Sequence, residues 1–196
     1  MTAVSKPDQI RAEAETLLKQ GKIQAAADIL WAAAKTHSKD AATWHMFANI
    51  YRDHSNRFTD GEQAYKKVLE LDSTNSTIHA DCGLHCFKFR RLDEAQWHLK
   101  RAIKLSKTPW WAHRTYGLLL KQQHKYDEAE ESLAIAKYLQ PDDSVTLFGL
   151  CTLYLCKDDT EKAMENLEAY LGTVDLSDHF STTMRTLVTE ECPVHQ

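Results

Sequence analysis

His79, Cys82, His85 and Cys86 place four potential metal ligands or nucleophiles within one short stretch. Two imidazoles and two thiols so close together could hold zinc, or could supply a thiolate beside a general base. The spacing argues against both. On a helix, His79, Cys82 and Cys86 share one face and His85 points elsewhere. A tetrahedral zinc site needs four converging donors. The shared face is also the packing stripe of its segment, where Cys acts as a small hydrophobe. The histidines, ten in all, are scattered along the chain. No Gly-rich phosphate loop, nucleophile-bearing turn or paired-carboxylate motif accompanies them. The expectation is no catalytic residue, no metal and no cofactor.

The remaining cysteines are Cys151, Cys156 and Cys192; no CxxC pair occurs among the five. An odd number, together with a start (MTAVSKPDQ) that lacks the apolar core of a secretion signal, predicts reduced thiols and a cytoplasmic location. No run of apolar residues is long enough for a membrane span. Hydrophobic content of 43% supports a folded core, and only 6 Gly and 4 Pro argue against long disordered linkers. The net charge of -4 counts against a broad nucleic-acid-binding surface. Charge is uneven. Residues 76–109 carry seven Lys/Arg and three Asp/Glu (net +4), whereas residues 144–177 carry two and six (net -4). Such a gradient can orient a charged partner or belong to solvated helix faces.

The elements that carry these residues are read best from Trp110 to Asp143. Trp110, His113, Tyr116, Gly117 and Leu120 recur at helical spacing. A polar turn, His124-Lys125-Tyr126-Asp127, follows. Asp127 is the expected N-cap of a second helix, whose stripe is Ala129, Leu133 and Ala136. Pro141 ends it. Gly117 in mid-helix costs about 1 kcal/mol against Ala, so close approach of two helix axes is the expected reason for it.

This stretch resembles the tetratricopeptide repeat, which has about 34 residues in two antiparallel helices. Tyr116, Gly117, Leu120, Ala129, Leu133, Ala136 and Pro141 match its pattern, while His113 stands where a large apolar residue is usual. The same pattern divides the chain into repeats 7–40, 41–75, 76–109, 110–143 and 144–177. Trp44, Phe47, Ala48 and Tyr51 mark the second repeat, and Gly83, Ala95, Leu99 and Ala102 the third. The second repeat is one residue longer, an insertion expected in the turn from His54 to Asp60. In the fifth, Tyr170 occupies a small-residue position and Gly172 is expected to end the helix. Residues 1–6 are expected to be disordered, with Ser5 capping the first helix. Residues 178–196 read as a capping helix (Phe180, Met184, Leu187) and a frayed tail. The resemblance implies an all-α fold, a right-handed superhelical α-solenoid of antiparallel helix pairs.

In that family the first helix of each repeat lines a concave groove. The residues here at the corresponding positions are polar in the first two repeats: Asp8, Arg11, Glu15, His45, Asn49 and Arg52. From the third repeat they become apolar: Leu84, Phe87, Trp111, Leu118, Phe148 and Leu155, with Arg114 and Lys121 between them. Such a stripe fits a partner helix or extended peptide with apolar anchors and some acidic residues. The family's clamp for the acidic C-terminal tails of chaperones is not matched. Asp81 stands where a carboxylate would have to bind, so no chaperone-tail binding is expected. RNA binding of the related pentatricopeptide kind is disfavoured by repeat length and by acidity. Trp31 and Trp97 fall on second helices, either as a second interface or lying flat over neighbouring side chains. The expected role is a non-catalytic protein-binding module acting through repeats 3 to 5. The alternative is a structural subunit held in a larger assembly through its convex face or ends.

Overall fold

The computed structural model describes residues 6–54, 58–106 and 109–173, and every described element is a helix. The helices pair in sequence order, as in an α-solenoid, within two compact units divided after Ser106. The first unit contains α1 (Lys6–Lys19), α2 (Ile23–Thr36), α3 (Ala41–His54), α4 (Phe58–Leu71), α5 (Ser76–Lys88) and α6 (Leu92–Leu105). The second contains α7 (Trp110–Gln122), α8 (Tyr126–Leu139), α9 (Ser144–Cys156) and α10 (Thr160–Thr173).

Helix pairs lock by fitting a small residue on one helix against a large one on the next. Leu99 and Leu133 are wholly buried. A Cβ added at Gly83 would lie 2.6 Å from Leu99 Cγ, and one at Gly117 would lie 2.6 Å from Leu133 Cγ and 3.1 Å from the Ala129 carbonyl oxygen. The close approach expected at Gly117 is therefore present. Ala14 and Leu30, both fully buried, occupy the same relation in α1 and α2. Complete burial of a leucine side chain contributes about 2–3 kcal/mol.

The four described turns within pairs share one backbone device. Gly21 (φ 73), Arg90 (φ 63), His124 (φ 58) and Asp158 (φ 58) adopt the left-handed conformation just past a first helix. The next residue then bonds back. Lys22 N–H donates to the Leu17 carbonyl (2.9 Å), Arg91 to Cys86 (2.9 Å), Lys125 to Leu120 (3.0 Å) and Asp159 to Tyr154 (2.9 Å). This is the Schellman closure, which satisfies carbonyls that a helix end leaves open. Only one of the four positions uses glycine.

Three local expectations are corrected. Asp127 is not the N-cap of α8. The Schellman turn brings Lys125 to that position, with no side-chain cap, and Asp127 enters the first turn, where Lys157 Nζ donates to it at 2.8 Å. The stretch from His54 to Asp60, expected as a turn, is helical at both ends: α3 runs through His54 and α4 begins at Phe58. Gly172 does not end α10, which runs through it to Thr173. Ser5 and the 178–196 capping segment lie outside the described residues.

Between pairs, the first helices α5 and α9 start on side-chain caps, whereas α7 follows Pro109 and has none. Asn75 accepts from the backbone of Thr77 (3.1 Å) and Ile78 (3.4 Å) at the start of α5. Asp143 accepts from Thr146 N–H (2.8 Å) at the start of α9. Each cap replaces a lost helical partner and contributes about 1 kcal/mol.

Candidate functional site

In the second unit, Trp111, Leu118, Phe148 and Leu155 are all half-buried. They come from α7 and α9, the first helices of their pairs, at one helical stripe each. They are neither core nor freely exposed. Phe148 meets Tyr170 of α10 with ring centroids 5.5 Å apart. Tyr170 thus fills a place normally given to a small residue by packing sideways on Phe148. The indole Nε1 of Trp111 is buried with no hydrogen-bond partner among the described residues. An unmade bond of this kind costs about 1–3 kcal/mol.

The two cations of this stripe are engaged in the second unit's own structure. Arg114 Nη1 donates to Asp143 Oδ1 at 3.1 Å, and its guanidinium lies 4.9 Å from the Trp110 ring centre. Lys121 Nζ donates to Thr152 Oγ1 at 2.6 Å. Their first role is to tie α7 to α9. The expected pairing of these cations with acids of a partner has to share them with these bonds.

In the first unit, Leu84 and Phe87 on α5 are also half-buried. Beside them the polar positions form a connected network. Arg52 Nη1 lies 2.7 Å from Asp81 Oδ1, and His45 Nε2 lies 2.7 Å from Asp81 Oδ2. The Tyr65 hydroxyl donates to Asn49 Oδ1 at 2.6 Å. Asp81 is buried. Its charge is thus met inside the fold by Arg52 and His45, and Asn49 is held by Tyr65.

One further pattern is legible in the sequence as a recurring Arg–Asp spacing. Arg11 Nη1 reaches Asp40 Oδ2 (2.5 Å), and Asp40 also accepts from Thr43 Oγ1 (2.5 Å). Arg114, Asp143 and Thr146 repeat this arrangement, with Thr146 Oγ1 donating at 2.6 Å. Arg and Asp are 29 apart in both cases. An acid ahead of a first helix pairs with an Arg of the preceding pair, so Arg11 and Arg114 set the spacing between neighbouring first helices.

Trp31 and Trp97 stand out on second helices. Trp31 is 40% exposed, stacks on Phe47 (5.3 Å) and has Lys35 Nζ 4.4 Å from its ring centre. Trp97 is 60% exposed and meets His98 edge-on at 4.8 Å and His79 at 5.7 Å. Trp31 therefore lies largely over its neighbours, whereas Trp97 presents most of its ring to solvent.

The His/Cys cluster serves packing. His79 Nε2–H donates to the Ser73 carbonyl (3.2 Å), leaving Nδ1 to accept from His98 Nδ1–H (3.1 Å). His85 is buried against Tyr65 (5.4 Å) and Phe89 (4.9 Å). Burial pushes the Cys82 thiol well up and the Cys86 thiol to about 11, so neither is a thiolate at neutral pH. Among the described residues, no three His, Cys, Asp or Glu side chains converge as a metal site. No helix among them is long and apolar enough to cross a membrane.

Neither a protein-family model nor a curated protein matches the chain. Solved structures do. MamA from Desulfovibrio magneticus (residues 41 to end) is 17% identical with a TM-score of 0.71, over 87% of this chain and 97% of that one. Pseudomonas aeruginosa PilF is 18% identical with a TM-score of 0.77, over 86% and 77%. YrrB, a TPR protein with an unusual peptide-binding site, is 19% identical with a TM-score of 0.63, over 88% and 87%. At such identities the likeness is one of fold. The fold is that of the tetratricopeptide repeat, with ten helices in five pairs among the described residues.

Proposed function

We propose that this chain is a non-catalytic protein-binding module. The face we assign is the half-buried apolar stripe of the second unit's first helices, Trp111, Leu118, Phe148 and Leu155; within the first unit, Leu84 and Phe87 form a comparable half-buried apolar patch on α5. Its partner is a helix or extended peptide of another protein with apolar anchors, flanked by acids that meet Arg114 and Lys121. The observation that carries this reading is the Trp111 indole. It is only half-buried, on a stripe of half-covered apolar side chains, and such a surface fits completion by a partner's apolar side chains. Peptide binding in a similar fold, as in YrrB, is consistent with it.

The test compares tagged wild type with the Trp111→Ala/Phe148→Ala double variant, purified from their own cells, with circular dichroism confirming that both are folded. Selective loss of one partner in the variant supports the assignment. Retention of every partner by the folded variant refutes it.

A second reading rests on a separate observation. Tyr138 (85% exposed), Trp97 (60%) and Met164 (54%) place large apolar side chains on second helices rather than first ones. These fit a subunit held in a larger assembly through that face.

A further inference from the structure

The second helices of the first unit carry an open pocket of about 510 Å³, lined by Leu69, Ser73, His79, Trp97 and the cations Lys100, Arg101 and Lys104. Its lining contains three cations and no carboxylate. The exposed Trp97 and Leu69 supply the apolar part of its surface. The histidines hold this surface rather than charge it. Burial lowers the pKa of His79 and brings that of His98 down to about 4, so both rings are neutral at pH 7. The positive charge therefore comes from the three side chains of α6 alone, and it persists at any physiological pH.

A pocket on the second unit, about 490 Å³, is built differently. It is lined by Lys137, Tyr138, Lys162, Glu165 and Asn166, among others. There Lys137 lies 3.7 Å from Glu165 and donates to Asn166 Oδ1 at 3.0 Å. Its cations have an acid and an amide in their own lining. A carboxylate thus sits among the cations of that lining, whereas none sits in the lining of the Trp97 pocket.

We propose that the Trp97 pocket docks an acidic segment of another protein, one with an apolar or aromatic side chain between carboxylates. The apolar residue packs on Trp97 and Leu69, and the carboxylates meet Lys100, Arg101 and Lys104. Charge complementarity selects this occupant. Nucleic acid fits less well, since three cations in one pocket on a chain of net charge -4 do not make a phosphate track. A bilayer fits less well, because membrane-surface binding calls for a projecting apolar face, and here the Trp lines a recess.

The test uses the full chain and four fluorescent probes: a short peptide of Asp and Glu with one central Phe, the same peptide with Lys in place of the acids, oligouridylate, and phosphatidylserine vesicles. The expected result is saturable binding of the acidic peptide alone. It weakens about tenfold or more in Arg101→Glu/Lys104→Glu and in Trp97→Ala. It is unchanged in Trp111→Ala/Phe148→Ala, which separates this pocket from the first-helix face. Melting curves matching wild type show that the exposed substitutions leave the fold intact. Absence of saturable acidic-peptide binding overturns the proposal, as does equal affinity in the charge-reversed variant. Tighter binding of RNA or vesicles that is lost in the same variants also overturns it.

Discussion

Replacing Gly117 with alanine should destabilise the protein even though alanine is the better helix former. In a free helix the exchange gains about 1 kcal/mol. Here the new methyl would stand 2.6 Å from Leu133 Cγ, 3.0 Å from Leu133 Cδ2 and 3.1 Å from the Ala129 carbonyl oxygen. Carbon atoms in good contact are about 3.5–4.0 Å apart, so a shift of roughly 1 Å is required. Leu133 is fully buried, and its methyls already face Gly149 across α9. It cannot retreat without leaving its rotamer, and the Ala129 oxygen belongs to the α8 backbone. Overpacking of this kind typically costs 1–3 kcal/mol, and more where backbone must move. Because the obstacle includes a backbone oxygen, the upper part of that range, about 2–3 kcal/mol, applies; after the helix gain of about 1 kcal/mol a net loss of about 1–2 kcal/mol remains, or a Tm lower by about 2–8 °C. Gly172→Ala is the control. It is helical, with nothing within 4 Å of the added Cβ, so it should be neutral or stabilising by up to about 1 kcal/mol. Urea denaturation followed by circular dichroism measures both. A Gly117→Ala variant as stable as wild type would refute the claim that α7 and α8 touch through this glycine.

Arg90→Gly should stabilise by about 0.5–1 kcal/mol, because glycine removes the penalty of a left-handed residue at a Schellman turn; thermal melts check this. Asp143→Ala should cost about 1–3 kcal/mol by removing the α9 cap and leaving the half-buried Arg114 unpaired, with Asp143→Asn intermediate; denaturation of the three proteins orders them. His98 sits at about 4 when folded, through burial and then the neighbouring His79, against about 6.5 unfolded. The native state binds fewer protons in that interval, so stability present at pH 7.5 falls as pH drops below 6.5. The loss is at most about 2 kcal/mol by pH 5. Urea midpoints at both pH values should show a smaller fall in His98→Gln than in wild type, and an equal fall would remove His98 as the cause.

The helix pairs were legible because small and large residues recur at fixed spacing, as at Gly83 with Leu99 and Gly117 with Leu133. Spacing of that kind reports packing directly. The turns were less legible. Asp127 looked like a cap from its type, but the Schellman closure at His124 moved the helix start, and no local residue preference announced a left-handed histidine. The first-helix stripe was readable as apolar. Its degree of cover was not, because exposure of Phe148 depends on Tyr170, which sits 22 positions later and reaches it only in the folded pair. Arg114 and Lys121 looked like free charges for a partner, since their contacts with Asp143 and Thr152 join distant parts of the chain. The basic pocket at Trp97 could be anticipated from the excess of Lys and Arg in residues 76–109, but its shape could not.

Site-specific photo-crosslinking tests the protein-binding claim most directly. p-Benzoylphenylalanine would replace Phe148 on the first-helix stripe or Tyr138 on the exposed second-helix face, in the full chain within its own cells. The account predicts a discrete protein adduct from position 148 that is lost when Trp111→Ala is added, and none from position 138. A discrete adduct from 138 with none from 148 would contradict it and place the interface on the second helices.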